Sequence, residues 1–157
     1  MIKHLAVMNK RIENPKPLLT VLLTTYNQVD FVEEALSSLF CQDYNNLEII
    51  ISDDASDDGT FDLITTMCAN YVGRHKVLTN RNEINLGVAG NLWKVFAMAC
   101  GELMIIADGD DVSLPNRVSL IYDRWSSYQN RPSLICSNAY IYLGNNHQLN
   151  LKFHLDI

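Results

Sequence analysis

Seven aspartates stand in two short runs of this chain: Asp53, Asp54, Asp57 and Asp58, then Asp108, Asp110 and Asp111. Carboxylates this close repel one another unless a cation or a set of donors compensates. Oxygen ligands favour hard divalent ions, Mg2+, Mn2+ or Ca2+. Outside the two runs, 11 acidic residues face 12 Lys and Arg, so the formal charge of -6 is concentrated rather than spread. Such foci point to cation sites. They point away from a nucleic-acid partner, whose surface needs a basic stripe.

Other chemistries fit less well. Cys41, Cys68, Cys100 and Cys136 form no Cys-x-x-Cys pair, and no His lies at a zinc-ligand spacing from them. They read as free thiols, which suits a cytoplasmic chain. His4, His75, His147 and His154 are scattered and define no catalytic group. Asp54, Ser56, Asp58 and Gly59 fit four positions of a calcium loop. Thr65 stands where that loop needs a bidentate Glu, and a strand run precedes it instead of a helix. Neither a Gly-x-Gly-x-x-Gly after the first strand nor a P-loop motif is present, which argues against a dehydrogenase and an NTPase.

The elements that must position the aspartates are legible from periodicity. Apolar, β-branched runs at Leu18–Thr24, Leu47–Ser52, Lys76–Thr79 and Leu103–Ala107 predict strands, and Leu134–Tyr142 predicts a fifth. Between them, Asp30–Phe40, Thr60–Tyr71 and Val88–Ala99 carry apolar residues at helical spacing. Asp30 and Glu33 have the spacing of a capping box, and Val88, Leu92, Phe96 and Ala99 mark the third helix's inner stripe. Ser113-Leu114-Pro115 opens a further helix with Val118, Ile121, Tyr122 and Trp125 inward. This alternation predicts an α/β fold, a mostly parallel sheet with helices on both faces. Residues 1–16 form a basic N-terminal arm, suited to an anionic membrane surface or simply frayed. Residues 17–143 form the domain, and 144–157 an incomplete tail. No apolar run is long enough for a membrane span or a secretory signal.

Ligands of open parallel sheets bind outside the carboxyl ends of the strands. Thr24-Thr25-Tyr26-Asn27 follows the first strand, Asp53-Asp54 begins the loop after the second, and Asp108-Gly109-Asp110-Asp111 follows the fourth. Both acidic runs therefore fall at one edge. Mg2+-type ions use one or two carboxylates and complete their shell with water and phosphates. A nucleoside diphosphate compound meets that need. Its base would sit against Tyr26 and bond to Asp54, its ribose would meet Asp108, and its diphosphate would share the metal with Asp110.

These residues resemble the family 2 glycosyltransferases, which have the GT-A fold. Val21–Asn27 looks like the family's opening strand and Thr/Ser-Tyr-Asn turn. Ile50–Thr60 is similar to its second strand and Asp-Asp-x-Ser-x-Asp-Gly-Thr signature. Asn85-Leu86-Gly87 resembles its Asn-x-Gly turn, and Gly101-Glu102 through Asp108–Asp111 to Pro115 its Asp-x-Asp segment. The resemblance implies transfer of a sugar from a nucleotide diphosphate sugar, UDP-linked, to an acceptor hydroxyl with inversion. The acceptor would be a carbohydrate or lipid-linked glycan in polysaccharide or glycolipid assembly, with peripheral contact at the cytoplasmic membrane face. It assigns Thr24, Tyr26, Asn27, Asp53, Asp54, Asn85 and Asp108 to the nucleotide and Asp110 to Mn2+ or Mg2+. Asp111 holds the loop or contacts the donor sugar, while Asp57 and Asp58 cap the next helix and Gly59 serves the turn. Asn91-Leu92-Trp93 replaces the Ala-Arg-Asn element of many relatives, leaving Asn91 as a partial substitute or a helix-start residue. The family takes its catalytic base, an Asp, from beyond the position of Ile157, and neither His154 nor Asp156 is a credible replacement. The alternative is therefore a non-catalytic nucleotide-sugar-binding module. A chain cut there would expose apolar surface and tend to form a homodimer.

Overall fold

The computed structural model describes residues 15–133 and the backbone of 141–143 and 147–149. In chain order it contains β1 (Leu19–Thr25), α1 (Val32–Phe40), β2 (Leu47–Asp53) and α2 (Thr60–Asn70). There follow β3 (Lys76–Arg81), α3 (Gly87–Met98), β4 (Leu103–Asp108) and α4 (Arg117–Ser126). Each strand ends one or two residues later than its apolar run. The ladder continues through the polar residues at the rim, because backbone pairing does not require an apolar side chain.

The strands pair in parallel in the order β3-β2-β1-β4. Every residue of central β2 is buried, whereas edge strands β3 and β4 are partly exposed. On one face Leu19, Val21, Leu23, Ile49, Ile51 and Ile105 pack against Val32 and Leu36 of α1, Ile64 of α2 and Val118 of α4. On the other, Leu22 and Ile50 pack against Val95 of α3. Helices on both faces are thus the answer to strands that are apolar on both sides.

Three expectations are corrected. The first helix starts at Val32 without a side-chain cap. The backbone N–H groups of Phe31 and Val32 instead donate to the Gln28 carbonyl, so no Asp30–Glu33 capping box forms. Val88 is 81% exposed, since the first turn of α3 overhangs the sheet; Asn91 and Val95 are the buried positions. Residues 134–140 of the expected fifth strand lie outside the described residues. The described part, β5 (Ile141–Leu143), pairs antiparallel with β6 (His147–Leu149), across the boundary expected at 143. So close a return of the chain allows only antiparallel pairing, since a parallel strand needs a crossover of a dozen residues or so.

A buried Glu48 shows what the opposite end of the sheet does. It has no exposed surface, yet accepts bonds from Lys76 Nζ (2.7 Å), Thr20 Oγ1 (3.0 Å) and the Cys100 N–H (3.1 Å). Burial pushes its carboxyl up, but these donors outweigh burial and its pKa is lowered.

Candidate nucleotide and metal site

Parallel pairing brings the ends of all four strands to one edge. Thr25 is in register with Asp53, and Thr24 with both Ser52 and Asp108. The two acidic loops therefore flank the β1–α1 loop, with Asp53 and Asp108 two strands apart, on the order of 10 Å.

The β2–α2 loop is a closed knot. Asp53 has no exposed surface. Its Oδ1 accepts from Thr25 Oγ1 (3.1 Å) and Ser56 Oγ (2.5 Å), and its Oδ2 from the Ser56 N–H (2.9 Å). Arg81 Nε lies 3.8 Å from the same carboxylate, while Arg81 Nη2 donates to the Ser56 carbonyl. Asp54 is 2% exposed, and its Oδ1 accepts from Asn82 Nδ2 (2.7 Å) and the Leu86 N–H (2.9 Å). Its Oδ2 receives no hydrogen bond from the described residues, which leaves one oxygen for a ligand.

Asp58 accepts from Thr60 Oγ1, the Thr60 N–H and the Val29 N–H. Burial pushes its carboxyl up, but these bonds together outweigh burial and its pKa is lowered. It thus holds the start of α2, as expected, whereas the Asp57 side chain makes no hydrogen bond with the described residues and its N–H donates to Asn27 Oδ1 (3.1 Å). Gly59 at φ 95° occupies the left-handed region that favours glycine.

Asn27 also adopts a left-handed φ of 50°, tolerated by Asn, and donates its N–H to Ser56 Oγ. Tyr26 stands beside it, 48% exposed, as a free aromatic face. Asn85 Oδ1 accepts the Gly87 N–H at 2.8 Å and shapes the turn into α3, where Gly87 has φ 73°. Asn91 neither starts the helix nor faces solvent. Its Oδ1 accepts from Ser52 Oγ (2.6 Å) and Asn82 Nδ2 (3.1 Å), and its Nδ2 donates to the Ser52 carbonyl (3.0 Å). Buried at 2% exposure with its amide engaged, it is a strut behind the edge.

The β4–α4 loop is open. Thr24 Oγ1 donates to Asp108 Oδ1 at 3.1 Å, and the Gly109 N–H donates to the Thr24 carbonyl. Gly109 is required by packing: a Cβ there would lie 2.3 Å from Gln28 Oε1 and 2.6 Å from Thr25 Cγ2. Asp108, Asp110 and Asp111 are all exposed. Partial burial, then the charges of Asp108 and Asp110, push the Asp111 carboxyl up, against the pull of Arg117. Among the described residues no three His, Cys, Asp or Glu side chains converge into a metal cage. The two acidic loops thus share an edge without sharing a cage.

Extending the strand-end test to β3 would have found Arg81 and Asn82, which the sequence reading passed over. Arg117 was also missed. Its guanidinium donates to the Ile106 carbonyl and Ser113 Oγ beside the acidic loop, and no motif signals it. A groove of about 570 Å3 between α1 and α2 is lined by Phe40, Leu63, Met67 and Tyr71. It lies away from the strand ends and carries none of these polar groups.

A model of the family described as "Glycosyl transferase family 2" matches residues 20–154. This chain belongs to that family. Among curated relatives, the putative glycosyltransferase EpsE of Bacillus subtilis is 34% identical over 105 residues, 67% of this chain and 37% of its own length. An Escherichia coli protein is 29% identical over 102 residues, 65% of this chain and 39% of its own. Its name is UDP-Glc:alpha-D-GlcNAc-diphosphoundecaprenol beta-1,3-glucosyltransferase WfaP. The family 2 chain described here therefore spans under two fifths of either relative. A solved structure, the mannosyltransferase PcManGT from Pyrobaculum calidifontis in complex with GDP-Man and Mn2+, superposes with a TM-score of 0.64 at 28% identity. The match covers 73% of this chain and 33% of that one. The four-stranded parallel sheet with its helices is the GT-A fold of these neighbours.

Proposed function

We propose that this chain is the nucleotide half of an inverting glycosyltransferase acting on a UDP-sugar, in polysaccharide or glycolipid assembly. The observation that carries the reading is the Thr24–Asp108 hydrogen bond, with Gly109 bonded to the Thr24 carbonyl. Those contacts fix an open, mutually repelling acidic loop onto the carboxyl end of β1, beside an exposed Tyr26.

In this reading Tyr26 offers its ring to the base, and the free Asp54 oxygen accepts a base N–H. Asp108 takes a ribose hydroxyl, and Asp110 holds Mn2+ or Mg2+. The donor set fits a hard divalent ion: its ligands are carboxylate oxygens, and their mutual repulsion is what a cation relieves. Such an ion supplies neutralisation of the charge that develops on the departing diphosphate. Arg117 braces the loop through the Ile106 carbonyl and Ser113 Oγ, and Asp111 is left to contact the donor sugar. In the transfer, the acceptor hydroxyl oxygen bonds to the anomeric carbon as the bond to diphosphate oxygen breaks. The hydroxyl proton goes to a base that the proposal places among none of the described residues. The name of the E. coli relative supports a lipid-linked acceptor and so a cytoplasmic, membrane-facing location. Among the described residues no helix is long and apolar enough to cross a membrane.

Calorimetric titration of UDP, GDP and dTDP, with and without Mn2+, tests this on the wild-type chain and on Asp110→Asn. Mn2+ should tighten binding of UDP most, and the substitution should remove that gain, roughly 10-fold or more. Nucleotide binding indifferent to Mn2+, or unchanged in Asp110→Asn, would sink the assignment. GDP preferred over UDP would correct the donor alone.

A further inference from the structure

Gln42 lies at the end of α1, remote in sequence from every aspartate of the site, and is 1% exposed. Its Nε2 donates to the Ser38 carbonyl (3.0 Å) and the Leu114 carbonyl (2.8 Å), and its Oε1 accepts the Val118 N–H (3.1 Å). Its backbone carbonyl is gripped in turn by Arg74 Nη2 and His75 Nε2, each at 3.1 Å. Its neighbours act in the same direction. The Asp43 N–H donates to the Pro115 carbonyl, the Ser113 N–H to Ser38 Oγ, and Ser119 Oγ to Asp43 Oδ2.

Five of these bonds join residues 38–43 to residues 113–119, the segment that leaves the acidic loop, while the Ser38 carbonyl, Arg74 and His75 hold Gln42 itself. At its other end the loop is fixed by the Gly109 bond to Thr24. Between the two anchors only Asp110, Asp111 and Val112 remain. A span that short, held at both ends, keeps its carboxylates aimed where repulsion would otherwise splay them. We infer that Gln42 is a positioning residue for the cation-binding loop, setting the strength with which a divalent ion couples to nucleotide binding. The inference rests on the proposed function and deepens it. Gln42 touches neither nucleotide nor ion; it acts through Leu114 and Val118.

The test measures UDP affinity with and without Mn2+ and reads the ratio of the two. A merely structural role would lower thermal stability and leave that ratio intact in the folded protein. Gln42→Ala should cut the ratio roughly 10-fold while altering metal-free affinity little, the scale seen when an outer support of a metal ligand is lost. Ser38→Ala removes one loop anchor without touching Gln42, and should lower the ratio in the same direction by less. Ile64→Ala, in the core of α2, is the control: lower melting temperature, unchanged ratio. A wild-type ratio of one would overturn the proposed function itself. A wild-type ratio well above one, retained in Ser38→Ala and in any folded Gln42→Ala, would overturn the role of Gln42 alone. Should Gln42→Ala not fold, Ser38→Ala decides.

Discussion

The two aspartate loops begin from the same residue type and end in opposite states. In the β2–α2 loop, Asp53, Asp54 and Asp58 accept hydrogen bonds from hydroxyls, backbone N–H groups and Asn82. In the β4–α4 loop, Thr24 is the one side chain among the described residues that donates to Asp108, and Asp111 sits against two like charges. The first loop has spent most of its acceptors on folding, with one Asp54 oxygen left over. The second leaves its carboxylates exposed, with few donors among the described residues. The lesson is that a carboxylate reads as structural or functional according to its donors, and the donors come from other strands.

The largest expected effect tests the closed loop. Asp53→Ala should cost about 3 kcal/mol or more, because Ser56, Thr25 and Arg81 lose a buried partner together. Thermal unfolding should show a fall of roughly 10 °C. A loss near zero would mean that the knot is not what holds the two loops together.

Next comes the open loop with its ligand. UDP and Mn2+ at about 100 times the dissociation constant should stabilise the chain by about 2.7 kcal/mol. In Asp110→Asn about half of that stabilisation or more should vanish, read as a smaller rise in melting temperature, while the ligand-free stability stays within about 0.5 kcal/mol of wild type.

Asp58→Ala should then cost about 1 kcal/mol, the loss of donors held at the start of α2. Acid distinguishes the loops by sign. Asp58 and Glu48 have lowered pKa values, so their stabilisation is complete above the ordinary carboxylate range and is lost as pH falls through the folded values. Asp111 has a raised pKa, so protonation begins above that range and relieves repulsion instead. The smallest effect follows: Asp111→Asn should leave stability near neutral pH unchanged or slightly higher, by at most ~0.5 kcal/mol. A clear destabilisation, read by chemical denaturation, would mean that Asp111 has donors of its own.

The sequence carried the alternation of elements because apolar spacing reports which face of a strand or helix is buried. It carried the edge where the acidic and polar residues gather for the same reason: parallel strands place the polar ends of their runs at one edge. It did not separate Asp53 from Asp54, since adjacent residues share composition and loop but point to different partners. Nor did it reveal Asn91 as a strut, or Gln42 and Arg117 as supports. Their partners lie 39, 76 and 11 residues away for the bonds to Ser52, Val118 and Ile106. Val88 had the right spacing and the wrong surroundings, because periodicity cannot tell where a helix overhangs its sheet.

Residue order alone therefore determined the α/β alternation, the edge where polar groups gather and the concentration of negative charge there. Tertiary structure decided which of those carboxylates is neutralised by protein donors and which is left for a ligand. The physical reason is range: apolar periodicity is local along the chain, whereas a hydrogen-bond donor is supplied by whichever strand or helix the fold sets alongside.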